Sequence, residues 1–226
     1  MIPWTLLDTA QIPDGSGELR LKQRGSEFSI MLGTNELMNS RLSGSEEALA
    51  RLSIGKFKTR KQPALLIGGL GMGFTLRAAL AELPNDAEVV VAELVPAVIR
   101  WARGPMAQIF GGCLEDPRVD IIEGDISTVI RRSKAIYDAI LLDVDNGPDA
   151  LARQENDQIY SISGLAAAKA ALRPGGILSV WSSAPDPRFS RRLQAAGFTY
   201  EEVKVRANGK RRGARHMIWI AARPQN

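Results

Sequence analysis

The chain has 226 residues, with 29 Lys and Arg against 25 Asp and Glu for a net charge of +4, and 45% of it is hydrophobic. That balance excludes a disordered, fibrous or collagen-like chain and suits one large domain, or one domain with a small appendage. A single cysteine, Cys113, and a single histidine, His216, exclude an intrachain disulfide and a Cys- or His-rich metal site; they argue against Ser-His-Asp or Cys-His catalysis and point to a reducing, cytoplasmic setting.

The first eight residues carry neither a basic segment nor an apolar run, so no signal peptide is expected. Glu18–Gln23 and Glu27–Leu32 alternate polar with apolar residues around Arg24-Gly-Ser26, which predicts a small antiparallel β unit. A helix is expected over Ser45–Leu52, with Ser45 as N-cap and the acids behind it suited to the helix dipole. Lys56–Lys61 reads as a basic linker, so residues 1–61 form one unit and 62–226 a second. The longest uncharged stretch, Gln62 to Leu76, is 15 residues long, short of the roughly 20 that a spanning helix needs. A soluble protein with no membrane contact is expected.

From Pro63 the pattern alternates strand and helix. Strands are predicted at Ala64–Ile67, Val89–Ala92, Val119–Ile122, Ala139–Leu142 and Ile177–Trp181. Helices are expected after the glycines at 68–73, from Pro96, over Leu165–Leu172, and from Asp186-Pro187 to Gly197. Thr199–Val205 and Met217–Ala222 read as a terminal hairpin. The expectation is an α/β fold: a seven-stranded, mostly parallel, Rossmann-like sheet with helices on both faces.

Chemistry concentrates at the ends of these strands. Gly68-Gly-Leu-Gly-Met-Gly73 joins a strand to a helix; Gly69, Gly71 and Gly73 permit a close backbone approach to a ligand at the helix N-terminus. Glu93 ends the next strand, 20 residues on, beside Leu94; a carboxylate there can accept both hydroxyls of a ribose. This motif alone serves NAD and S-adenosylmethionine (SAM) equally. Asp125, placed to accept an adenine amine, and Ile126, placed to stack on the ring, favour the adenosyl ligand. Asp143 falls at the carboxyl edge of the fourth strand, where open α/β sheets bind ligands, and is the first candidate general base. Asp145 is the second, and Tyr160 is a candidate near the rim.

Leu66–Arg77, Val91–Pro96, Asp116-Pro-Arg-Val119, Glu123-Gly-Asp125, Tyr137–Asp143 and Leu172-Arg-Pro-Gly-Gly176 together resemble the spermidine synthase family across roughly residues 18–198. The resemblance implies the class I SAM-methyltransferase fold behind a small β domain, Gly68–Gly73 and Glu93 against the nucleoside, Asp125 on the adenine side, and Asp143 as the acid that helps deprotonate an attacking amine. It also implies a homodimer. Two departures stand out. The family's loop aspartate, which helps hold the aminopropyl group of decarboxylated SAM, is Gly71 here. The Tyr, His and Glu of its polyamine-site segment become Asn39, Ser40 and Arg41, and an Arg for an acid changes the local charge by two units.

The expectation is therefore a transferase using SAM or decarboxylated SAM, with no metal, more in the manner of methyl than aminopropyl transfer to a small-molecule acceptor near Asn39, Arg41 and Tyr160. A true polyamine aminopropyltransferase is the alternative, and a non-catalytic nucleoside-binding module the third reading. Six cations in Lys204–Arg215 read as a solvated hairpin tip in preference to a nucleic-acid footprint, since no aromatic residue interleaves with them. His216 reads as a strand residue.

Overall fold

The computed structural model describes residues 2–13, 15–57, 60–144, 156–208 and 213–225. Four antiparallel strands come first: β1 Thr5–Gln11, β2 Glu18–Arg24, β3 Glu27–Leu32 and β4 Asn35–Asn39. Helix α1 spans Gly44–Ile54, so it begins before the expected residue, with Ser43 at its N-cap. Ser45 lies inside the helix, and its hydroxyl is engaged elsewhere.

The larger sheet is built from β5 Ala64–Gly68, β6 Glu88–Glu93, β7 Val119–Glu123, β8 Tyr137–Leu142, β9 Leu172–Ser182, β10 Thr199–Arg206 and β11 Arg215–Ala222, in the order β10-β11-β9-β8-β5-β6-β7. The five inner and edge strands β5–β9 run parallel, and β11 is antiparallel to both β9 and β10. Between them lie α2 Phe74–Glu82, α3 Pro96–Arg103, α4 Ala107–Phe110, α5 Ile126–Arg132, α6 Asn156–Ile159, α7 Ile162–Ala171 and α8 Pro187–Ala195.

The period of two along each buried strand separates two cores. Leu65 and Ile67 of β5, with Ala139 and Leu141 of β8, face the first core together with α1, α2 and α3. Leu66, Ile140 and Leu142 face the second, with α5, α7 and α8. Leu19, Leu21, Phe28 and Ile30 of the small sheet belong to the first core. The two sheets thus share one apolar interior, and the carboxyl edge of the large sheet opens beneath the small one. Helix α1, grouped by sequence with the β unit, packs on the large sheet; its buried Ser53 hydroxyl donates to Leu49 O and is hydrogen-bonded to the Ser179 hydroxyl of β9 at 2.7 Å.

Local signals place several joints. Pro96 occupies the first turn of α3, where its missing N–H costs nothing. Asp186 caps α8 by accepting from Arg188 N at 2.7 Å. Arg173-Pro-Gly-Gly176, expected to end a helix, continues as the first stretch of β9 after a register shift against β8. Residues 209–212 of the basic hairpin lie outside the described residues. No described helix is long and apolar enough to cross a membrane.

Candidate active site

The glycine loop leaves β5 at the carboxyl edge and returns into α2. Gly69 sits at φ +90°, and a Cβ there would lie 2.5 Å from the Asp143 carbonyl oxygen. Only glycine meets both conditions without strain. We expect Gly69→Ala to lower stability by about 1–3 kcal/mol, read from the urea midpoint; an unchanged midpoint contradicts this account of the loop.

Glu93 ends β6 and is 7% exposed. Its Oε2 accepts Leu70 N at 2.9 Å and its Oε1 accepts Val95 N at 2.8 Å. The carboxylate therefore ties the glycine loop to the turn before α3. Gly69, Gly71, Glu93, Leu94, Asp125, Ile126 and Asp143 all line one cleft of about 790 Å³, counted out to its mouth. Gly68 and Gly73 hold the two ends of the loop: Gly68 O accepts Asp143 N at 3.0 Å, and Gly73 is the N-cap of α2. Asp125 has a structural partner as well, capping α5 through Ser127 N at 2.8 Å. The buried Ile126 and half-buried Leu94 give apolar walls suited to a flat base, and Met38 of β4 closes the side toward the small sheet.

A second pocket, of about 560 Å³, adjoins the cleft at Gly71, Met38 and Asp143. Asn39, Glu46, Phe74 and Trp181 complete its polar and aromatic lining, and no Lys, Arg or His is among the described residues that line it. Asp143 accepts the Thr75 hydroxyl at 2.6 Å through Oδ2. Burial, reinforced by the Glu46 carboxylate and opposed by the Thr75 hydrogen bond, pushes the Asp143 carboxyl up to about 7. Glu46 is also raised, by burial first and by Glu47 as a lesser cause, against the hydrogen bond from Ser45. Two acids that both resist ionisation, with no cation among the described residues lining their pocket, form a site that a positive ligand stabilises. A carboxylate poised near neutrality also suits general-base work.

Two expected residues fall elsewhere, and a third is not described. Arg41 does not bring its charge to this pocket. Its Nη2 reaches Glu36 Oε2 at 2.7 Å, and its guanidinium carbon lies 5.7 Å from the centre of the Trp4 ring, on the small sheet. Tyr160 is not at the rim; it is 2% exposed in the second core, edge-on to Phe189 with ring centroids 5.6 Å apart. Asp145 lies outside the described residues. Conversely, Glu46, Thr75 and Trp181 stand at the site without having been singled out. Cys113 is buried, which pushes its thiol to about 11 and leaves it protonated. Among the described residues no three His, Cys, Asp or Glu side chains gather as metal ligands do.

A Rossmann-like sheet with an acid after β6, a glycine loop after β5 and an antiparallel last strand is the class I methyltransferase type of fold. The Spermine/spermidine synthase domain family matches residues 44–191, and the chain belongs to that family. A polyamine aminopropyltransferase 1 of Streptomyces coelicolor is 29% identical over 149 residues, 62% of this chain and 27% of that protein. A polyamine aminopropyltransferase of Nitrosomonas europaea is 35% identical over 124 residues, 54% of this chain and 35% of that one. The match thus spans about a quarter to a third of these curated relatives' length. The crystal structure of spermidine synthase from Thermotoga maritima superposes with a TM-score of 0.73 at 18% identity, covering 98% of this chain and 73% of that one. A spermidine synthase in complex with the transition-state analogue AdoDATO gives 0.74 over the same shares.

Proposed function

We propose that the chain is a transferase that binds decarboxylated SAM and passes its aminopropyl group to the amine of a small acceptor. The observation that carries this reading is the Glu46–Asp143 carboxylate pair beside the glycine loop, in a pocket whose described lining has no cation. The α-carboxylate of SAM is repelled there, whereas the ammonium of the decarboxylated compound is attracted. Arg41, the sequence argument against an amine, is neutralised by Glu36. The names of the curated relatives support the same choice.

When bound, the sulfonium supplies an electrophilic carbon and its own leaving group. The protein's part is to orient and to move a proton. Glu93 fixes the ribose, Ile126 and Leu94 flank the base, and Asp125 borders the adenine side. Asp143 takes the proton of the acceptor amine, so that the nitrogen lone pair is free to attack. Asn39 lines the acceptor pocket; Arg41 and Tyr160 have no part in this reading.

Methyl transfer from SAM is the second reading, favoured by Gly71, which puts no carboxylate on the loop. Isothermal titration separates the two. Decarboxylated SAM is expected to bind at least about tenfold more tightly than SAM, the worth of one charge-assisted contact, with turnover of a diamine such as putrescine. Tighter binding of SAM, with no turnover of the diamine, overturns the aminopropyl reading. Binding without any turnover leaves the nucleoside-binding module.

A further inference from the structure

The single histidine stands where the sheet topology brings a strand back to the ligand edge. Because β11 runs antiparallel, its first residues lie beside the ends of the parallel strands. Met217 pairs with Ser182, the last residue of β9, so His216 projects one position beyond that ladder. Its Nδ1 lies 2.9 Å from the hydroxyl oxygen of Ser45, which is fully buried on α1. That hydroxyl donates to Glu46 Oε2 at 2.7 Å. A hydroxyl has one proton. With it given to an ionised Glu46, the His216 nitrogen must carry the proton of the other bond, which fixes the Nδ1–H tautomer. Burial lowers the imidazole's affinity for a second proton, so the ring is neutral while it donates.

The same imidazole packs edge-on against Trp181, with centroids 4.7 Å apart. Trp181 is 8% exposed and lines the pocket that Glu46 and Asp143 share. Its buried indole N–H has no acceptor among the described residues. Glu46 sits on the first turn of α1 and needs a second anchor to hold one rotamer against Asp143's repulsion.

We propose that His216 is a positioning residue: acting through Ser45, it fixes Glu46 as the second carboxylate of an ammonium subsite shared with Asp143. This rests on the transferase reading above. The ammonium can belong to the donor's aminopropyl arm or to the acceptor. His216 touches neither; its effect passes entirely through the Ser45 hydroxyl.

The test has two readouts. In the free 226-residue chain, the ring nitrogens of its one histidine give one unambiguous set of ¹⁵N signals. They are expected to report the Nδ1–H tautomer, and to shift toward the Nε2–H form in Ser45→Ala. An Nε2–H ring in the wild type overturns the relay whatever the protein catalyses. In titrations, His216→Phe, which keeps a flat ring and loses the donor, is expected to weaken the ammonium-bearing ligand about tenfold, and Ser45→Ala likewise. The double variant is expected to be no worse than either single change, as for two links of one chain. His216→Asn, which keeps a short N–H donor, is expected to recover most of the affinity. Loss on decarboxylated SAM assigns the subsite to the donor's arm, and loss on putrescine assigns it to the acceptor. Equal losses for Phe and Asn, or additive losses in the double variant, overturn the proposal. A wild type that binds neither compound but shows the Nδ1–H ring and its dependence on Ser45 overturns the functional reading and keeps the relay.

Discussion

Asp143→Asn is expected to reduce kcat by about a hundredfold to ten-thousandfold, the range for removing a general base, while affinity for decarboxylated SAM falls by only about tenfold, the worth of one charge-assisted contact. The amide still accepts the Thr75 hydroxyl that Asp143 Oδ2 accepts at 2.6 Å, so the loop after β8 keeps its anchor. What is lost is the ability to take a proton. The pH profile gives a separate check. With the carboxyl pushed up to about 7 by burial and by Glu46, kcat/KM should rise with pH through about 7 and level off above it. An ammonium in the pocket favours the ionised acid, so the corresponding limb of kcat should lie at lower pH. Stability moves the other way. A carboxyl whose folded pKa exceeds its unfolded value binds more protons in the folded state, so its contribution falls as pH climbs from the ordinary carboxylate range to about 7. Asp143→Asn should flatten that decline in the unliganded protein. A variant with undiminished kcat removes Asp143 from the chemistry.

The cleft beside the glycine loop was legible because each element carries a local reason for its place. A strand, a glycine cluster and a helix in sequence force a turn at the sheet edge, and the spacing to Glu93 puts a carboxylate on the neighbouring strand at the same edge. The parallel register, in which Gly68 lies against Ala92, delivers this directly. The small sheet was half legible. β2 and β3 alternate, whereas β1 is almost wholly exposed along its length and shows no alternation to read. β4 was hidden because Asn35–Asn39 also fits a binding-loop segment.

The adjoining pocket was less legible because the sequence shows charges without their partners. Arg41 reads as a cation in an amine pocket until Glu36, five residues earlier, is seen to absorb it. Glu46 had a sufficient local explanation as an acid at a helix start. Its approach to Asp143 depends on how α1 docks on the large sheet, a contact that no pattern within residues 44–54 encodes. His216 illustrates the same limit, since its partner Ser45 lies 171 residues away. Tyr160, expected near the rim, instead fills the space against Phe189.

Asp138 and Asp143 lie five positions apart around one strand, and they are expected to fail in opposite ways. Asp138 is fully buried near the amino end of β8. It pairs with Arg60 and, at 2.7 Å, with Arg173, and it accepts Ala64 N at 2.8 Å. It therefore clasps the start of β5 and the start of β9 to β8, at the end of the sheet away from the cleft. Replacing it by Ala leaves an amide unpaired and two guanidinium groups without their anion. Removing one partner of a buried pair costs about 3–5 kcal/mol. The arginine side chains are 26% and 40% exposed and can turn to water, so the lower end, about 3 kcal/mol, is expected for Asp138→Ala. The urea midpoint should fall accordingly, with kcat/KM unchanged at temperatures where the variant remains folded. Asp143→Asn should do the reverse, sparing the fold and removing the rate. If Asp138→Ala leaves the midpoint in place, the clasp is not what joins these three strands, and the separation of a structural acid from a chemical one along β8 is lost.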